Sequence, residues 1–227
     1  MTTELSNKTL AEIVNANFRA SKVFDKYGLD FCCKGKRTLS EACNEKSLPA
    51  AAVMDDLNTL MSSTGDNDLF TDMTNTELID HIVETHHTYV REHIPLIMNY
   101  LFKVSTKHGA RYPYIKEVYV LFTQLRDELL HHLKEEEETV FPLIKQSGNN
   151  AASDNTKVLA LIADMENEHD TVGTLLAEIR KTAKNFEIPP DACNTFRVVL
   201  HLLEDFESDV HRHVFKENHV LFQRLVA

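Results

Sequence analysis

Apolar residues recur at steps of three and four residues through most of the chain after residue 75. This spacing places one apolar stripe along each helix and predicts that the stripe is buried. The stripes lie in four stretches, from Ile79 to Leu101, Val118 to Leu143, Val158 to Ile179 and Val199 to Val220. The segments between them, 108–113, 147–150 and 185–190, contain Gly, Pro or Asn, which favour turns. Because short connections join neighbouring helices, the pattern predicts an antiparallel four-helix bundle.

The N-terminal part of the chain shows a pattern typical of short helices. Thr9–Glu12 and Thr38–Glu41 have the Thr-x-x-Glu spacing of a capping box, and Ala50–Met61 is a further candidate helix. Gly28 is expected to end an earlier helix. Residues 62–68 are small and polar and lack apolar periodicity. We therefore predict an all-α protein with a small helical domain at 1–65, a linker at 66–74 and the four-helix bundle at 75–227.

Composition and charge exclude several kinds of partner. The net charge of −11 argues against binding to a nucleic-acid backbone or an anionic membrane. No segment approaches the run of about 20 apolar residues that a membrane span needs. The first residues lack the basic and apolar regions of a signal peptide, and four cysteines, two of them adjacent, make a poor disulfide framework. We therefore expect a cytoplasmic protein that binds neither nucleic acid nor a membrane.

Polar side chains interrupt all four apolar stripes on the face that should be buried. The interrupting residues are His87, then His132 with Glu136, then His169, then His213 with Glu217. In each His-x-x-x-Glu pair the side chains lie about 40° apart around the helix and about 6 Å apart along it, so both face one layer of the core. Burying such groups without compensation costs several kcal/mol each. We interpret the six residues as ligands of a metal centre, with a structural polar network as the alternative.

The ligand types narrow the choice of metal. Six nitrogen and oxygen ligands without a thiolate argue against structural zinc and suit iron first and manganese second. Two carboxylates can bridge two metal ions while two imidazoles cap each ion. A dinuclear non-haem iron centre is therefore the working hypothesis, although spacing alone does not choose among first-row metals.

The other histidines and glutamates have weaker signals. His86, His131, His211 and His219 flank the proposed ligands, whereas His81, His93, His108 and His201 lack a spacing partner and are expected at solvated or boundary positions. Glu135, Glu137 and Glu138 belong to a run that is expected to be solvated, except that one of them could hydrogen-bond a ligand imidazole.

The adjacent cysteines form a second candidate site. Cys32 and Cys33 cannot close an unstrained disulfide with each other. The basic residues Lys34, Lys36 and Arg37 should lower the thiol pKa of Cys33. We interpret the pair as a redox-active or iron- or nitric-oxide-accepting site, with two packed small residues as the alternative. Cys43 and Cys193 are expected to be ordinary core or surface cysteines.

These motifs together resemble the hemerythrin-like fold, and more closely the di-iron proteins of iron–sulfur cluster repair (the RIC, YtfE/ScdA-type family). The matching segments are Tyr27–Cys33 with Gly35, Lys36, Thr38 and Leu39, then His132-x-x-x-Glu136 before Phe141-Pro142, Glu168–Asp170, and His213-x-x-x-Glu217 before Val220–Phe222. The resemblance implies that His87, His132, Glu136, His169, His213 and Glu217 bind two iron ions in an oxo- or hydroxo-bridged centre, with both glutamates bridging. It further implies action at Cys32 and Cys33, damaged iron–sulfur proteins as partners, nitric oxide or oxygen as a small ligand, and a homodimer.

Three functions follow as hypotheses. The first is repair of iron–sulfur clusters damaged by nitrosative or oxidative stress, by iron donation or nitric oxide handling; whether this makes the protein an enzyme is left open. The second is a hemerythrin-like sensor or store for oxygen or nitric oxide without a repair role. It is weakened because Gly173 stands where oxygen carriers have a further histidine, four residues after His169. The third, a ferritin-like oxidase, ranks low because that class uses Glu-x-x-His pairs.

Overall fold

A computed structural model of the protein describes residues 5–62, 70–147 and 156–226. Helices form the regular elements of these residues, which confirms the predicted all-α class. They divide into two compact units, one made of Met1–Thr74 with His211–Ala227 and the other of Asn75–Val210.

The first unit contains the predicted short helices. They are α1 (Leu10–Ala16), α2 (Ala20–Tyr27), α3 (Leu39–Glu45) and α4 (Ala50–Ser62), followed by a 3₁₀ turn (Phe70–Asp72). Both capping boxes are confirmed, because Thr9 and Thr38 each exchange hydrogen bonds with the glutamate three residues later. Gly28 ends α2 with a φ of 62°, in the left-handed region that glycine adopts without strain.

The two capping threonines also hold a loop in place. Thr9 and Thr38 form an isolated antiparallel bridge, in which Leu10 N donates to Arg37 O and Leu39 N donates to Lys8 O, both at 2.9 Å. Backbone hydrogen bonds therefore join the N-terminus of α1 to the N-terminus of α3. They fix the C-terminal end of the segment between α2 and α3. This segment carries the two adjacent cysteines.

The second unit contains the long helices. They are α5 (Asn75–Ile82), α6 (Thr88–His108), α7 (Tyr114–Glu135), α8 (Phe141–Ser147), α9 (Thr156–Thr182) and α10 (Asn194–Lys216), whose last residues belong to the first unit. A π-helical turn (Val83–His87) joins α5 to α6, another (Glu136–Val140) joins α7 to α8, and a third (Glu217–Leu221) follows α10 and leads to α11 (Gln223–Val226). Helix α7 packs against both α6 and α9. Residues of the predicted stripes, such as Leu101, Leu125 and Met165, are completely buried.

The C-terminal residues pack with the N-terminal helices. Residues 211–227, which the sequence assigns to the bundle, lie in the first compact unit, and the predicted domain bounds stay a prediction. Aromatic packing accounts for this, because Phe215 lies 6.0 Å from Phe18 and 5.7 Å from Phe31 between ring centroids. Residues 63–69, which include 66–69 of the predicted linker, and 148–155, with most of the 147–150 connection, lie outside the described residues. Phe70 is buried, and the Arg224 guanidinium donates to its carbonyl at 2.8 Å.

Candidate metal centre

Four of the six predicted ligands come together inside the second unit. His87 is the last residue of the first π-helical turn, His132 lies on α7, Glu136 begins the second π-helical turn and His169 lies on α9. None of the four exposes more than 1% of its surface. Polar side chains that are so deeply buried must be compensated locally, since water cannot solvate them.

The Glu136 carboxylate lies between two imidazoles. Its Oε2 is 3.4 Å from Nε2 of His87, and its Oε1 is 3.3 Å from Nε2 of His132. Both distances exceed the 2.7–2.9 Å or so of a strong charge-assisted hydrogen bond. One carboxylate that presents each oxygen to a different imidazole has the arrangement of a ligand that bridges two cations.

His169 adds a third donor beside one of these oxygens. Its Nε2 is 2.9 Å from Nε2 of His132, and the two rings meet edge to face with centroids 4.6 Å apart. One ligand atom from each of His132, Glu136 and His169 lies within 4.8 Å of the others. Two imidazole nitrogens and a carboxylate oxygen therefore surround a space that one first-row cation can fill.

Carboxylates behind the imidazoles fix their tautomers. Nδ1 of His87 is 2.6 Å from Glu137, and Nδ1 of His132 is 2.7 Å from Glu168. A proton on each Nδ1 leaves the Nε2 lone pair directed at Glu136, so a lone pair and a carboxylate oxygen face each other. A cation between them converts this repulsion into coordination. The donor set thus fits a metal, as it does in proteins where a ligand histidine is held by a carboxylate.

Electrostatics keep both outer carboxylates ionised. Burial acts to raise the pKa of Glu137, but hydrogen bonds from His87 and Arg91 outweigh it and hold the pKa below its usual value. For Glu168 the hydrogen bond from His132 dominates and lowers the pKa. Both groups therefore hold the Nδ1 proton and increase the basicity of the imidazole on the metal side.

Solvent reaches one of these outer carboxylates through a cleft. The cleft has a volume of about 270 Å³ and is bordered by Glu137, Phe141, Glu84 and Lys145 among others. Phe141 stacks on the His87 ring, with centroids 5.7 Å apart. The Phe141 ring therefore covers the His87 imidazole, while the Glu137 carboxylate behind that imidazole remains in contact with water.

The other two predicted ligands form a pair in the first unit. Nε2 of His213 is 2.8 Å from Oε1 of Glu217, and neither residue is exposed at all. His213 lies on the last turn of α10, and Glu217 begins the π-helical turn that follows. The His-x-x-x-Glu spacing thus produces two side chains in direct contact, as the helical geometry requires.

The cysteine pair lies in the same unit, at a turn that Asp30 organises. Oδ1 of Asp30 accepts hydrogen bonds from the backbone N–H groups of Cys32, Cys33 and Lys34, at 2.9–3.3 Å. The two sulfur atoms are 3.6 Å apart and are not joined in a disulfide. Cys32 is buried, whereas Cys33 is half-buried.

Charged groups surround the two cysteines. Arg37, one of the three basic residues that follow the pair, forms an ion pair with Glu45. For Cys32 the pKa is raised well above its usual value, by burial first, and then by Cys33 and by the Asp30 carboxylate. The buried member of the pair is therefore a neutral thiol.

The loop of the cysteines is anchored on the turn that contains Glu217. His219 Nε2 donates to the Cys32 carbonyl at 2.7 Å, and Asn218 Nδ2 does so at 3.4 Å. Burial lowers the pKa of His219, so its ring is a neutral donor. A methyl group at Gly35 would come within 2.7 Å of that ring, so only glycine allows this close approach.

Structure assigns roles to residues with weak sequence signals. Glu137 is the member of the acidic run that hydrogen-bonds the imidazole of His87, a predicted ligand. The sequence did not predict that Glu168 hydrogen-bonds His132 in the same way. Its position directly before His169 is the one feature of the sequence that pointed to it. His86 is buried and pairs with Asp209 at 3.0 Å, whereas His131 is exposed. The π-helical turns at His87, Glu136 and Glu217 were not predicted either.

Comparisons with known proteins match both parts of the chain to families. Residues 6–61 match the ScdA_N family, a domain of unknown function, and residues 78–225 match the hemerythrin HHE cation binding domain. An iron–sulfur cluster repair protein ScdA of Staphylococcus haemolyticus is 32% identical over 97% of this chain and 99% of its own length. Iron–sulfur cluster repair proteins YtfE of Enterobacter sp. and Citrobacter koseri are each 34% identical, over 97% of both chains. In the part of the chain that the structure describes, no helix is long and apolar enough to cross a membrane.

Proposed function

Because the chain belongs to the ScdA/YtfE family of iron–sulfur cluster repair proteins, we propose that it is a di-iron protein that repairs clusters damaged by nitrosative or oxidative stress. The observation that carries this proposal is the Glu136 carboxylate, which presents one oxygen to His87 and the other to His132. A single cation would need only one of these oxygens. Two cations use both, which favours a dinuclear centre over a mononuclear one.

His213 and Glu217 are proposed to complete the ligand set. The buried residues Leu203, Phe206 and Val210 define one face of α10, and steps of three and four residues extend this face to His213 and Glu217. Both side chains are fully buried. With them, the proposed ligand set would comprise four imidazoles and two carboxylates, enough donors for two iron ions.

The residues of the chain tune what such a centre can do. Iron held by these residues would supply an exchangeable cation for rebuilding clusters and could take up a small ligand such as nitric oxide. Glu137 and Glu168 add negative charge behind the imidazoles and strengthen cation binding, while the cleft beside Glu137 admits water to that edge. Gly173 provides no side chain where oxygen carriers have a further histidine.

The cysteines are proposed as the site where iron or nitric oxide is passed on. Cys33 is half-exposed and therefore accessible to a damaged iron–sulfur protein, whereas Cys32 keeps its proton because it is buried beside Asp30. The soft sulfur of Cys33 suits iron and nitric oxide as acceptor. The cytoplasmic location and the homodimer stay predictions.

The proposal can be tested by measuring metal content and cluster-repair activity on the same protein samples. Wild-type protein without an affinity tag should contain about two iron ions per chain, as in two-metal sites with bridging carboxylates. Glu136→Leu should lose iron and also the ability to restore an iron–sulfur enzyme inactivated by nitric oxide or peroxide. Glu138→Leu is the matched control, because Glu138 lies on the same turn with a side chain that is 66% exposed. Repair by folded Glu136→Leu protein that contains no iron would refute the proposal.

A second experiment separates repair from storage or sensing. The double variant Cys32→Ala/Cys33→Ala should keep its iron, because neither thiol belongs to the six proposed ligands, but should lose repair. A variant that keeps both iron and full repair would leave the cysteines without a role. A wild-type protein that binds nitric oxide or oxygen but restores no damaged enzyme would favour the sensor or store.

A further inference from the structure

A cysteine and a histidine meet at one end of the second unit, away from the four metal ligands there. Sγ of Cys193 is 3.2 Å from Nε2 of His108, and both residues are half-buried. His108 is the last residue of α6, and Cys193 directly precedes α10. Helix α6 has 21 residues, which places His108 about 30 Å along the helix from His87 at 1.5 Å per residue.

Contacts between two loops hold this pair together. The Tyr112 hydroxyl donates a hydrogen bond to Asp191, and this bond joins the segment after α6 to the segment before α10. The Phe196 ring packs against His108 and Tyr112, with centroids 5.8 and 5.5 Å apart. The Cys193–His108 contact is therefore fixed by its surroundings from both sides.

Cys193 stands directly before a long helix, close to basic side chains. Cys193 caps the N-terminus of a 23-residue helix, where its carbonyl accepts from Arg197 N at 3.0 Å, and helix N-termini stabilise negative charge. The Arg197 guanidinium is held one turn away by the Ala192 carbonyl at 3.1 Å. The nearby negative charge of Asp191 is compensated by an ion pair with Arg111.

We propose that Cys193 and His108 form a thiol–imidazole dyad in which Cys193 is a reactive nucleophile and a site of oxidation by hydroperoxides. Nε2 of His108 takes the thiol proton, and the sulfur attacks one peroxide oxygen, so that an S–O bond forms as the O–O bond breaks. Sulfur loses two electrons and becomes a sulfenic acid. The leaving oxygen takes the electron pair and the proton and departs as water or an alcohol. This reaction does not depend on the proposed metal centre.

Alkylation of the full-length protein by iodoacetamide at neutral pH tests the dyad. Trypsin releases Cys193 in a peptide that spans residues 185–197 and contains no other cysteine, so mass spectrometry can follow its labelling alone. His108→Gln should slow labelling of Cys193 by about tenfold or more, a conservative share of what a positioned general base contributes. The matched control is His201→Gln, at an exposed position of α10. Equal rates in the wild type and both variants would overturn the proposal.

Two measurements on the wild type keep the proposal testable even if His108→Gln fails to fold. Cys193 should react faster in the native protein than in the same chain unfolded in urea, although folding half-buries it; a slower native rate would overturn the dyad. Hydrogen peroxide followed by dimedone should then trap a sulfenic acid on the 185–197 peptide before it appears on the peptide of buried Cys43. The reverse order would show that Cys193 is not the preferred site of oxidation.

Discussion

Replacement of Glu168 by glutamine tests whether the outer carboxylates strengthen iron binding. Oε2 of Glu168 lies 2.7 Å from Nδ1 of His132, whose other nitrogen is a proposed iron ligand. Glutamine has nearly the same shape as glutamate, and its amide oxygen can still accept the hydrogen bond from the Nδ1–H group of His132. The substitution therefore removes the negative charge and leaves the hydrogen bond, so any loss of affinity is electrostatic.

The size of the effect follows from the exposure of this contact. A hydrogen bond to a charged group contributes about 1.5–3 kcal/mol and a neutral one about 1 kcal/mol, so removal of the charge costs about 1 kcal/mol or slightly more. The Glu168 side chain is 32% exposed, which places the effect in the lower part of this range. Because 1.4 kcal/mol corresponds to a factor of ten, we expect iron affinity to fall about tenfold, the lower end for partners of ligand histidines.

Competition with an iron chelator measures this affinity on the purified full-length protein. Glu178→Gln is the control, since Glu178 is exposed on the same helix and the variant has the same change in net charge. Glu137→Gln should give a comparable loss through His87, although Arg91 also contacts that carboxylate. If Glu168→Gln and Glu178→Gln lost iron equally, the outer carboxylate would have no specific role and the reasoning from tautomers would be refuted.

Three further predictions concern the first unit. Gly35→Ala places a methyl group against the Phe31 carbonyl oxygen and should destabilise the protein by about 1–3 kcal/mol, measured as a lower unfolding midpoint in urea; an unchanged midpoint would contradict the close contact. Thr38→Ala removes the hydroxyl that accepts from Glu41 N and should cost about 1 kcal/mol in the same assay, whereas no change would mean that the capping box contributes nothing. Burial acts to raise the pKa of Asp30, but the charge of His211, the backbone N–H groups of Lys34 and Cys33 and the Cys32 thiol together lower it, so its stabilisation is present above about pH 4 and disappears as pH falls through its folded pKa. Asp30→Asn should therefore unfold more easily at pH 7 and lose less stability than the wild type between pH 5 and 3, and parallel curves would contradict this.

Periodicity predicted the proposed ligands because each interrupts an apolar stripe. A polar residue at a buried position is costly, so its presence at the correct step of the stripe carries information that composition does not. The structure brings His87, His132, Glu136 and His169 into one buried group and leaves His131 on the surface. The choice of His132 over its neighbour His131 therefore depended on a step of three or four residues, and the apolar pattern is regular enough to distinguish the two positions.

The same pattern cannot detect a π-helical turn. Each of the three π-helical turns begins or ends at a proposed ligand, namely His87, Glu136 or Glu217. A π-helical turn adds about one residue per turn, so the apolar steps before and after it each look regular. His86 and His87 end the first of these turns, and both are buried although they have different partners, Asp209 and Glu137.

The assignment of residues 211–227 to the first unit also lay beyond the sequence. The apolar stripe of α10 continues through Val210 without a break, so periodicity gives no signal of a change of unit. The change depends on contacts between Phe215 and aromatic rings near the N-terminus, which only the folded chain brings together. Its consequence is chemical, because Glu217 and the cysteine loop now belong to one unit. Asn218 and His219, the two residues after Glu217, both donate to the Cys32 carbonyl. Within this unit, two hydrogen bonds therefore couple the turn that begins at Glu217 to the backbone of the cysteines, so a movement of that turn also moves the Cys32 carbonyl.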